Sequence, residues 1–514
     1  IRGAGSSRRA RRAVAGRWPR ARLRRMWARA AVAIIVLAMI NGCSDDGGGA
    51  ADAGTPDQAA ADVRPDAPPP DGAPDLPPAD LPLPDAPCPD PGVALASGIT
   101  VSPTNLAAGG QVTIVYGPPA KLAGAANLGL HHGFNHWGLD LGGAKAKDVA
   151  MSKRADGAFE VTIPVPTGAR LLDFVFFTQS GSTKQWDNNG KADYHRSVGV
   201  PRIGPYLTLR DNLASPGQAD RDPAHSIVVN FRTDWPCLGR VHYGTAPLQL
   251  TASQAETTPA TDHHLHLKGL KADTVYHYRT SCVDAAASCP VPETGPVHSF
   301  RTAPKSATGL KLVVLADPQD NRAANDRWSD IAQALTKPPH GDARLVVVAG
   351  DLAGDDLPVR WWDFFDKGRE LFATRPLIPA VGNHDTPTYG SVGSFASFDA
   401  LFDFDSSSGS DAYHGLRHGP VSFLVLNSET SQSFVSTTDW KPGGKQYGWA
   451  KGALSKLTTP WRFAVWHIPP YNAGASHEWQ AADARGITAL FNDAIDWVFG
   501  GHEHLYQRFK PIRH

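Results

Sequence analysis

Four short apolar runs in the last third of the chain are each followed, within a few residues, by carboxylate, amide or imidazole side chains. The runs are residues 345–349, 377–381, 463–465 and 495–499. The side chains that follow them are, in order, Asp351, Asn383 with His384, His467, and His502 with His504. Short apolar runs of this kind are typical of parallel strands buried on both faces. Because open α/β sheets place their sites at the carboxyl ends of strands, we expect these side chains to converge.

A fifth run, residues 311–316, precedes Asp317 and Gln319, and a polar helix is predicted over residues 325–336. From residue 310 onward the alternation of strand, helix and strand therefore indicates an α/β domain. Two adjacent metal ions need a bridging carboxylate and a mixture of oxygen and imidazole ligands. The residues after the five runs supply that mixture, so the sequence predicts a site with two metals.

The motifs and their order resemble the calcineurin-like metallophosphoesterases and, within them, the purple acid phosphatases. The resemblance covers about residues 203–514. It is most specific at residues 467–472, with His477 ten residues after His467. It implies in-line attack by a metal-bound hydroxide on a phosphate monoester. The alternatives are a phosphodiesterase acting on nucleotides or phospholipids and, in another class, a carbohydrate-binding surface protein with a degenerate metal site.

The resemblance also implies a role for each site residue. The metal ligands would be Asp317, Gln319, Asp351, Asn383, His467, His502 and His504. Asp317 and His504 would hold the first ion, and Asp351 would bridge to the second. Asn383, His467 and His502 would complete the second ion's ligands. His384 and His477 would stabilise the phosphoryl group or protonate the leaving alkoxide.

Two positions depart from the family pattern. Coloured purple acid phosphatases have a tyrosine three residues after the bridging aspartate, where this chain has Gly354, so the purple colour is not expected. Many members of the superfamily have a histidine two residues after the first aspartate, where this chain has Gln319. A neutral amide oxygen is a weaker donor, and the two divalent or trivalent ions could be iron, zinc or manganese.

The N-terminus carries a predicted export signal over residues 1–43. A basic segment precedes an apolar core of residues 30–40, which is followed by Cys43. This arrangement resembles a bacterial lipoprotein signal and implies an exported protein anchored to a membrane through lipid on Cys43, at the periplasmic face or the cell surface. The alternative is an ordinary signal peptide. Translation could start at Met26.

Residues 44–90 are almost entirely Ala, Asp, Pro and Gly. Such a segment cannot bury enough apolar surface to offset its ordering entropy, so we predict a linker. Over the whole chain 50 basic residues balance 50 acidic ones. No net charge therefore favours nucleic acid as a partner.

Residues 91–202 are predicted to form a β-sandwich, with strands at residues 111–116, 159–164 and 171–177. His131, Trp137 and Trp186 resemble the sugar platform of carbohydrate-binding family 25, which implies a starch-like polysaccharide as a partner. Flat aromatic faces of this kind stack on pyranose rings. The alternative is that both tryptophans only pack the fold.

Residues 203–305 resemble the fibronectin-III-like domain that precedes the catalytic domain in purple acid phosphatases. The expected fold is therefore two β-sandwich domains followed by a four-layer αββα metallophosphoesterase domain over residues 306–514, truncated at its C-terminus. In an exported protein we expect Cys237 to pair with Cys282 or Cys289. The chain contains no CxxC pair, which argues against zinc at these cysteines.

Overall fold

The computed structural model describes part of the chain. The described residues are 32–38, 93–96, 98–103, 106–134, 137, 146–167, 169, 171–191, 193–198, 203–213, 218–283, 296–305, 309–319, 327–354, 356, 358–386, 396–408, 411–429, 439, 441–473 and 485–512. Cys43, His477 and the predicted linker lie outside these residues.

The described strands and helices are named here in chain order. The strands are β1 (Val32–Ala38), β2 (Val93–Ala96), β3 (Ile99–Ser102), β4 (Gln111–Tyr116), β5 (Gly129–Phe134), β6 (Lys147–Ala150), β7 (Ser152–Lys153), β8 (Phe159–Pro164), β9 (Leu171–Ser180), β10 (Thr183–Asp187), β11 (Tyr194–Ser197), β12 (Ile203–Thr208), β13 (Ile227–Gly244), β14 (Ala252–Ala255), β15 (Ala260–Leu267), β16 (Val275–Val283), β17 (His298–Arg301), β18 (Leu310–Ala316), β19 (Leu345–Ala349), β20 (Leu377–Ala380), β21 (His414–His418), β22 (Val421–Val425), β23 (Trp461–Val465) and β24 (Trp497–Phe499). The α-helices are α1 (Arg327–Thr336), α2 (Pro358–Lys367), α3 (Arg369–Phe372), α4 (Ala396–Leu401) and α5 (Lys445–Leu454). Short 3₁₀ helices span Asn189–Lys191 and Ala489–Phe491.

The described part of residues 93–198 forms antiparallel sheets around one core. One sheet has the strand order β2-β3-β4-β8-β7; the other has the order β10-β9-β5-β6, with β11 also paired to β9. Along β4, alternate side chains are buried: Val112, Ile114 and Tyr116. This period of two places one face of the strand against the core. The strands predicted at residues 111–116, 159–164 and 171–177 are confirmed as β4, β8 and most of β9.

The described part of residues 203–301 forms a second β-structure built around the long strand β13. Its register shifts between Arg232 and Cys237, so that its first half pairs with β12 and β15 and its second half with β14 and β16. A disulfide joins Cys237 on β13 to Cys282 on β16, with the Cα atoms 5.8 Å apart. This pairing confirms one of the two partners expected for Cys237.

The C-terminal part contains two sheets that face each other. The strands β18, β19 and β20 are parallel neighbours, and β22, β23 and β24 form a second parallel set to which β21 pairs antiparallel. Val314 and Val347 from the first sheet share a core with Phe423 and Phe463 from the second. The carboxyl ends of both parallel sets therefore meet at one edge of the domain.

Helices cover the outer faces of these two sheets. Trp328 of α1 and Phe364 of α2 lie in one core with Val348 of the first sheet. Ala450 of α5 packs with Trp466, which directly follows β23 in the second sheet. Every residue of β19 and β20 is buried, as predicted for strands covered on both faces.

The prediction of a fully buried fourth run is wrong in one respect. β24 is a parallel neighbour of β23, but the side chains of Trp497 and Val498 are each 37% exposed. The described sheet has no strand on the far side of β24, and its first two residues therefore face solvent. Only Phe499, which comes just before the polar turn, is buried in this strand.

The apolar core of the predicted export signal contains β1, which pairs in parallel with β18. The register runs from Val32 opposite Leu310 to Ala38 opposite Ala316. No helix among the described residues is long and apolar enough to cross a membrane. Export and lipidation stay predictions, since neither observation tests them.

Candidate metal centre

The predicted metal ligands lie in the turns that follow the parallel strands. Asp317 follows β18, Asp351 follows β19 and Asn383 follows β20, all in the first sheet. His467 follows β23, and His502 with His504 follows β24, in the second sheet. The site is therefore assembled from two sheets. Four of the seven predicted ligands, Gln319 included, follow strands of the first sheet, and three follow strands of the second.

The backbone at these turns adopts a conformation that is rare for residues other than glycine. Positive φ angles occur at Asp317 (53°), Asp351 (53°), His502 (74°) and His504 (46°). Left-handed backbone at such residues costs on the order of 1–3 kcal/mol each and clusters at functional sites. Four of the predicted ligands thus lie at strained backbone positions.

The ligand atoms lie close together. His467 Nε2 is 3.0 Å from Asn383 Oδ1 and 3.3 Å from Asp351 Oδ1. His502 Nδ1 is 2.9 Å from Asn383 Oδ1 and 3.2 Å from His467 Nε2. Ligands placed about 2.1 Å from one ion lie roughly 3 Å from each other. The spacing at Asn383, His467 and His502 thus matches the ligand shell of an ion.

A second group of contacts surrounds Asp317. Its Oδ1 is 3.7 Å from His504 Nε2 and 4.0 Å from His467 Nδ1, and it accepts a hydrogen bond from the His502 backbone N–H at 2.8 Å. Asp317, Asp351 and His467 each offer a ligand atom within 4.8 Å of the others, and all three are buried. Carboxylate, amide and imidazole donors together suit iron, zinc or manganese, so these residues fit a metal centre.

The hydrogen bond from His467 to the backbone determines which nitrogen can bind. Nδ1 donates to the carbonyl oxygen of Ala349 at 2.9 Å. In the neutral ring this leaves Nε2 with the lone pair, which is the arrangement found in most metal-binding histidines. Ser428 fixes the same turn, because its Oγ accepts the backbone N–H groups of His467 and Ile468 at 3.1 and 2.7 Å.

The charges at the site are strongly coupled. Burial raises the pKa of Asp317 to about 6, and the negative charge of Asp351 adds to this rise. Burial opposes ionisation of Asp351 as well, but the charge and hydrogen bond of His467 lower its pKa to about 2. Burial would lower the pKa of His467, and the carboxylates of Asp351 and Asp317 reverse this, raising it to about 10. Without metal, Asp351 and His467 form a buried ion pair.

Metal binding should therefore release protons in numbers that depend on pH. A ligating His467 must be neutral, so at pH 8, well below its pKa of about 10, binding at Nε2 displaces one proton. Below pH 6 a second proton should come from Asp317, whose pKa is about 6, and affinity should fall more steeply as pH drops. Calorimetric titration of stripped protein in buffers of different ionisation enthalpy measures this. No proton release at pH 8 would contradict a charged His467.

Glycines allow the turns to approach one another. A Cβ atom at Gly382 would lie 2.2 Å from the backbone nitrogen of Asp351, and one at Gly350 would lie 2.4 Å from His467 Nδ1. Gly350 also has a φ angle of +84°. Both positions therefore require glycine for the ligands on either side to come together.

Gly382→Ala should consequently destabilise the protein and weaken metal binding. Overpacking a tight site typically costs about 1–3 kcal/mol. The matched control is Gly448→Ala in α5, where a Cβ would meet nothing within 4 Å and alanine should stabilise the helix by up to about 1 kcal/mol. Chemical denaturation and metal analysis of both variants test this. Equal stability of the two variants would show that the turn at Gly382 can accommodate a Cβ atom.

Gln319 and His384 both contact Asp351. Gln319 Nε2 donates to Asp351 Oδ2 at 3.0 Å, and the His384 backbone N–H donates to Asp351 Oδ1 at 2.9 Å. The structure thus places Gln319 beside the predicted bridging carboxylate as a donor, and its role as a metal ligand stays a prediction. His384 Nδ1 donates to the carbonyl oxygen of Gly354 at 2.9 Å, so the residue in place of the family's tyrosine orients this ring.

Two further residues of the site received no role from the sequence. Ser428 holds the His467 turn, as described above. Asp385 is completely buried and accepts the backbone N–H groups of Ala353 and Gly382 at 2.9 and 2.8 Å. It thereby ties the turn after β19 to the turn after β20. Burial and the charge of Asp351 raise the pKa of Asp385 well above its usual range. Ser428 comes three residues after the end of β22 and Asp385 five residues after the end of β20, and no local pattern marks either one as a partner of a distant turn.

A comparison with protein families bears on this centre. A family model described as "Calcineurin-like phosphoesterase" matches residues 310–506. These residues form a calcineurin-like phosphoesterase domain. The match includes the described ligands on both sheets, from Asp317 to His504.

The calcineurin-like phosphoesterase domain is related to plant purple acid phosphatases. The chain is 29% identical over 261 residues to "Purple acid phosphatase 22" of Arabidopsis thaliana, covering 49% of this chain and 54% of that one. It is also 29% identical over 309 residues to "Purple acid phosphatase 21" of the same plant, covering 56% and 64%. The chain therefore spans less than two thirds of the length of either relative.

Among solved structures, the chain is similar to one described as "Structure of PhoD". The sequences are 13% identical, the TM-score is 0.40, and the alignment covers 57% of this chain and 70% of that one. A score this low supports no conclusion about function.

The predicted sugar platform is a separate cluster of rings in the N-terminal part. The His131 ring stacks on Trp137 with centroids 5.2 Å apart and meets Trp186 edge-on at 5.7 Å. Trp186 is 37% exposed. Asp148 accepts from His131 Nδ1 at 2.6 Å and from Lys184 Nζ at 2.5 Å. The structure therefore brings the three predicted residues together, with Trp186 partly exposed to solvent and Lys184 Nζ 5.1 Å from the centroid of its ring.

Proposed function

We propose that this chain is a metal-dependent phosphatase that hydrolyses phosphate monoesters. The observation that carries the proposal is the convergence of six oxygen and imidazole ligands at the strand ends of a calcineurin-like phosphoesterase domain. The donors are Asp317, Asp351, Asn383, His467, His502 and His504. Relatives described as purple acid phosphatases support the same reaction class.

The contacts favour a site for two ions. Asp317 and His504 are neighbours at one end, and Asn383, His467 and His502 are neighbours at the other. Asp351 lies beside His467 and is the carboxylate best placed to bridge. Metals bound here would lower the pKa of a coordinated water to near neutrality and neutralise charge on the phosphate.

The chain's own groups would orient the substrate and finish the reaction. Because His384 Nδ1 donates to Gly354, its Nε2 is the nitrogen that can contact a phosphate oxygen or protonate a leaving alkoxide. Gln319 and the His384 backbone hold Asp351 in one orientation. His477 is a second proposed phosphate contact, supported by the sequence resemblance alone.

The test uses p-nitrophenyl phosphate and its bis ester with metal-stripped protein. Iron, zinc and manganese are titrated separately, and turnover of each ester is measured. We expect metal-dependent hydrolysis that strongly favours the monoester. A preference for the diester would replace the monoesterase with a phosphodiesterase. No turnover of either ester with any metal would leave a degenerate site and remove both enzyme proposals.

We also propose the finer architecture predicted from the sequence. Residues 91–202 and 203–305 would be β-sandwich domains, the second of the fibronectin-III-like kind, ahead of an αββα domain from residue 306. Support comes from the core shared by Ile114 and Phe174 on different sheets, and from the helices that cover both C-terminal sheets. An experimental structure in which these cores do not form would overturn this arrangement.

We propose starch-like polysaccharide binding as a second function of this chain, at His131, Trp137 and Trp186. The ring contacts and the partial exposure of Trp186 favour it, because aromatic faces stack on sugars. Trp186→Ala should reduce retention on insoluble starch at least tenfold. Trp497→Ala is the matched control, since Trp497 is also 37% exposed but lies in the other part of the chain. Equal retention of all three proteins would show that Trp186 is not part of a platform.

Export and anchoring complete the proposal. The basic segment, apolar core and Cys43 support a lipoprotein that is held at the membrane in a bacterial envelope. Metabolic labelling with palmitate tests this, with Cys43→Ser as the comparison. Labelling that persists in the variant would exclude Cys43 as the lipidated residue.

A further inference from the structure

A second group of metal-binding side chains lies outside the phosphoesterase domain. Cys237 on β13, His263 on β15 and Cys282 on β16 are all buried, and each offers a ligand atom within 4.8 Å of the other two. Cys237 and Cys282 are joined as a disulfide. His263 Nε2 lies 3.6 Å from Cys237 Sγ. An imidazole nitrogen therefore stands beside a pair of sulfur atoms.

The surroundings of His263 fix its orientation. Its Nδ1 donates to Glu256 Oε2 at 2.7 Å, and its ring stacks on Phe231 with centroids 4.4 Å apart. Glu256 is itself held, since its Oε2 also accepts the Gly239 backbone N–H at 3.0 Å. A Cβ at Gly239 would lie 2.5 Å from His263 Nδ1. The close packing leaves Nε2 on the side of the sulfur atoms, where it accepts a hydrogen bond from Thr233 Oγ1 at 3.1 Å.

A carboxylate that holds the far nitrogen of a histidine is a regular feature of zinc sites. The carboxylate sets the tautomer and makes the ligating nitrogen more basic. The arrangement of Glu256, His263 and the two sulfurs therefore has the chemistry of a zinc site with two thiolates and one imidazole.

We propose that, when the disulfide is reduced, Cys237, Cys282 and His263 bind a zinc ion. A dithiol reductant would supply two electrons and two protons to the sulfurs and would itself become a disulfide. Zinc would then displace both thiol protons and bind the thiolates and His263 Nε2. Water would take the fourth position. The two forms would be alternative cross-links of β13 and β16. Under oxidising conditions the cross-link would be the disulfide, and under reducing conditions it would be a zinc ion bound by both thiolates.

The chain contains no CxxC pair, which is the motif that supplies two zinc ligands from a single turn. Here the ligands come from three strands that the register of β13 brings together. Phe231 is opposite His263, and Gly239 is opposite Cys282. Sequence spacings of 26 residues from Cys237 to His263 and 19 from His263 to Cys282 therefore carry no signal of a site.

Cobalt(II) is the probe, because its bonds to thiolate give charge-transfer absorption that the phosphoesterase centre, which has no thiolate, cannot give. The protein is the full chain with Cys43, Cys88 and Cys289 replaced by serine, so that one cysteine pair remains. Protein reduced with a phosphine and kept free of oxygen should take up cobalt with this absorption, and zinc should displace it. Oxidised protein should show neither.

Glu256→Gln tests the assignment without removing a ligand or a core side chain. Loss of such an outer partner should weaken zinc binding about 10- to 100-fold. His277→Asn, a half-buried histidine on β16, is the control and should bind zinc as the parent does. Reduced protein without thiolate absorption would overturn the proposal. So would unchanged zinc affinity in Glu256→Gln. Neither result bears on phosphatase activity.

Discussion

Replacing Asp351 with alanine should lower kcat/KM for p-nitrophenyl phosphate by more than about 100-fold. Loss of a residue that only supports a metal ligand costs up to about 100-fold in activity, and loss of a ligand should cost more. Asp351 is the buried carboxylate beside His467 Nε2 and the acceptor for both Gln319 and His384. Its removal takes away a ligand and the charge that raises the pKa of His467. Metal content, measured by elemental analysis, should fall with the activity.

The control for this experiment is Asp342→Asn. Asp342 lies in the same domain but is exposed, and it forms an ion pair with Lys311 at 2.5 Å. Asp351→Asn is a second variant that keeps the side-chain volume. Circular dichroism is used to check that the two Asp351 variants are folded. A folded Asp351 variant with parental activity and metal content would refute the proposed centre.

His384→Ala should act differently, because it should reduce turnover while the metals stay bound. A group that stabilises or protonates the reacting phosphate contributes about 10²–10⁴-fold. The loss should appear mainly in kcat, and it should be smaller for substrates with good leaving groups, which need no protonation. Kinetics with phenyl phosphate and p-nitrophenyl phosphate separate these cases.

His340→Ala provides the comparison for His384. His340 lies in the turn after α1, outside the metal centre, and its replacement should leave kcat unchanged. If His384→Ala lost metal in proportion to activity, the residue would support the ligands rather than contact the substrate. If it kept parental kcat with both esters, His384 would have no part in the reaction.

The parts of the fold that were predictable are those where local sequence and tertiary environment agree. Residues 345–349 are apolar throughout because β19 is covered on both faces. Since the carboxyl ends of parallel strands meet, the residues after each run could be assigned to one site without knowing a single distance. His502 and His504 belong to it for the same reason.

The remaining features depend on contacts between distant segments. Ser428 supports His467 across 39 residues of sequence, and no local pattern marks a hydroxyl as an acceptor for a remote turn. The choice of Cys282 over Cys289 depends on the register between β13 and β16. The exposure of Trp497 depends on β24 lying at the edge of its sheet. In each case a neighbour in space decides the outcome.

The division of the ligands between two facing sheets has a consequence for how the domain comes apart. An ion bound by Asp351 and His467 is attached to both sheets at once, so the two sheets cannot separate while the ion remains bound. Ligand that binds only the folded state adds about 2.7 kcal/mol of stability at a hundredfold excess over its dissociation constant. Melting temperature should therefore rise with each productive metal, and a thermal scan across candidate ions would rank them before any substrate is known.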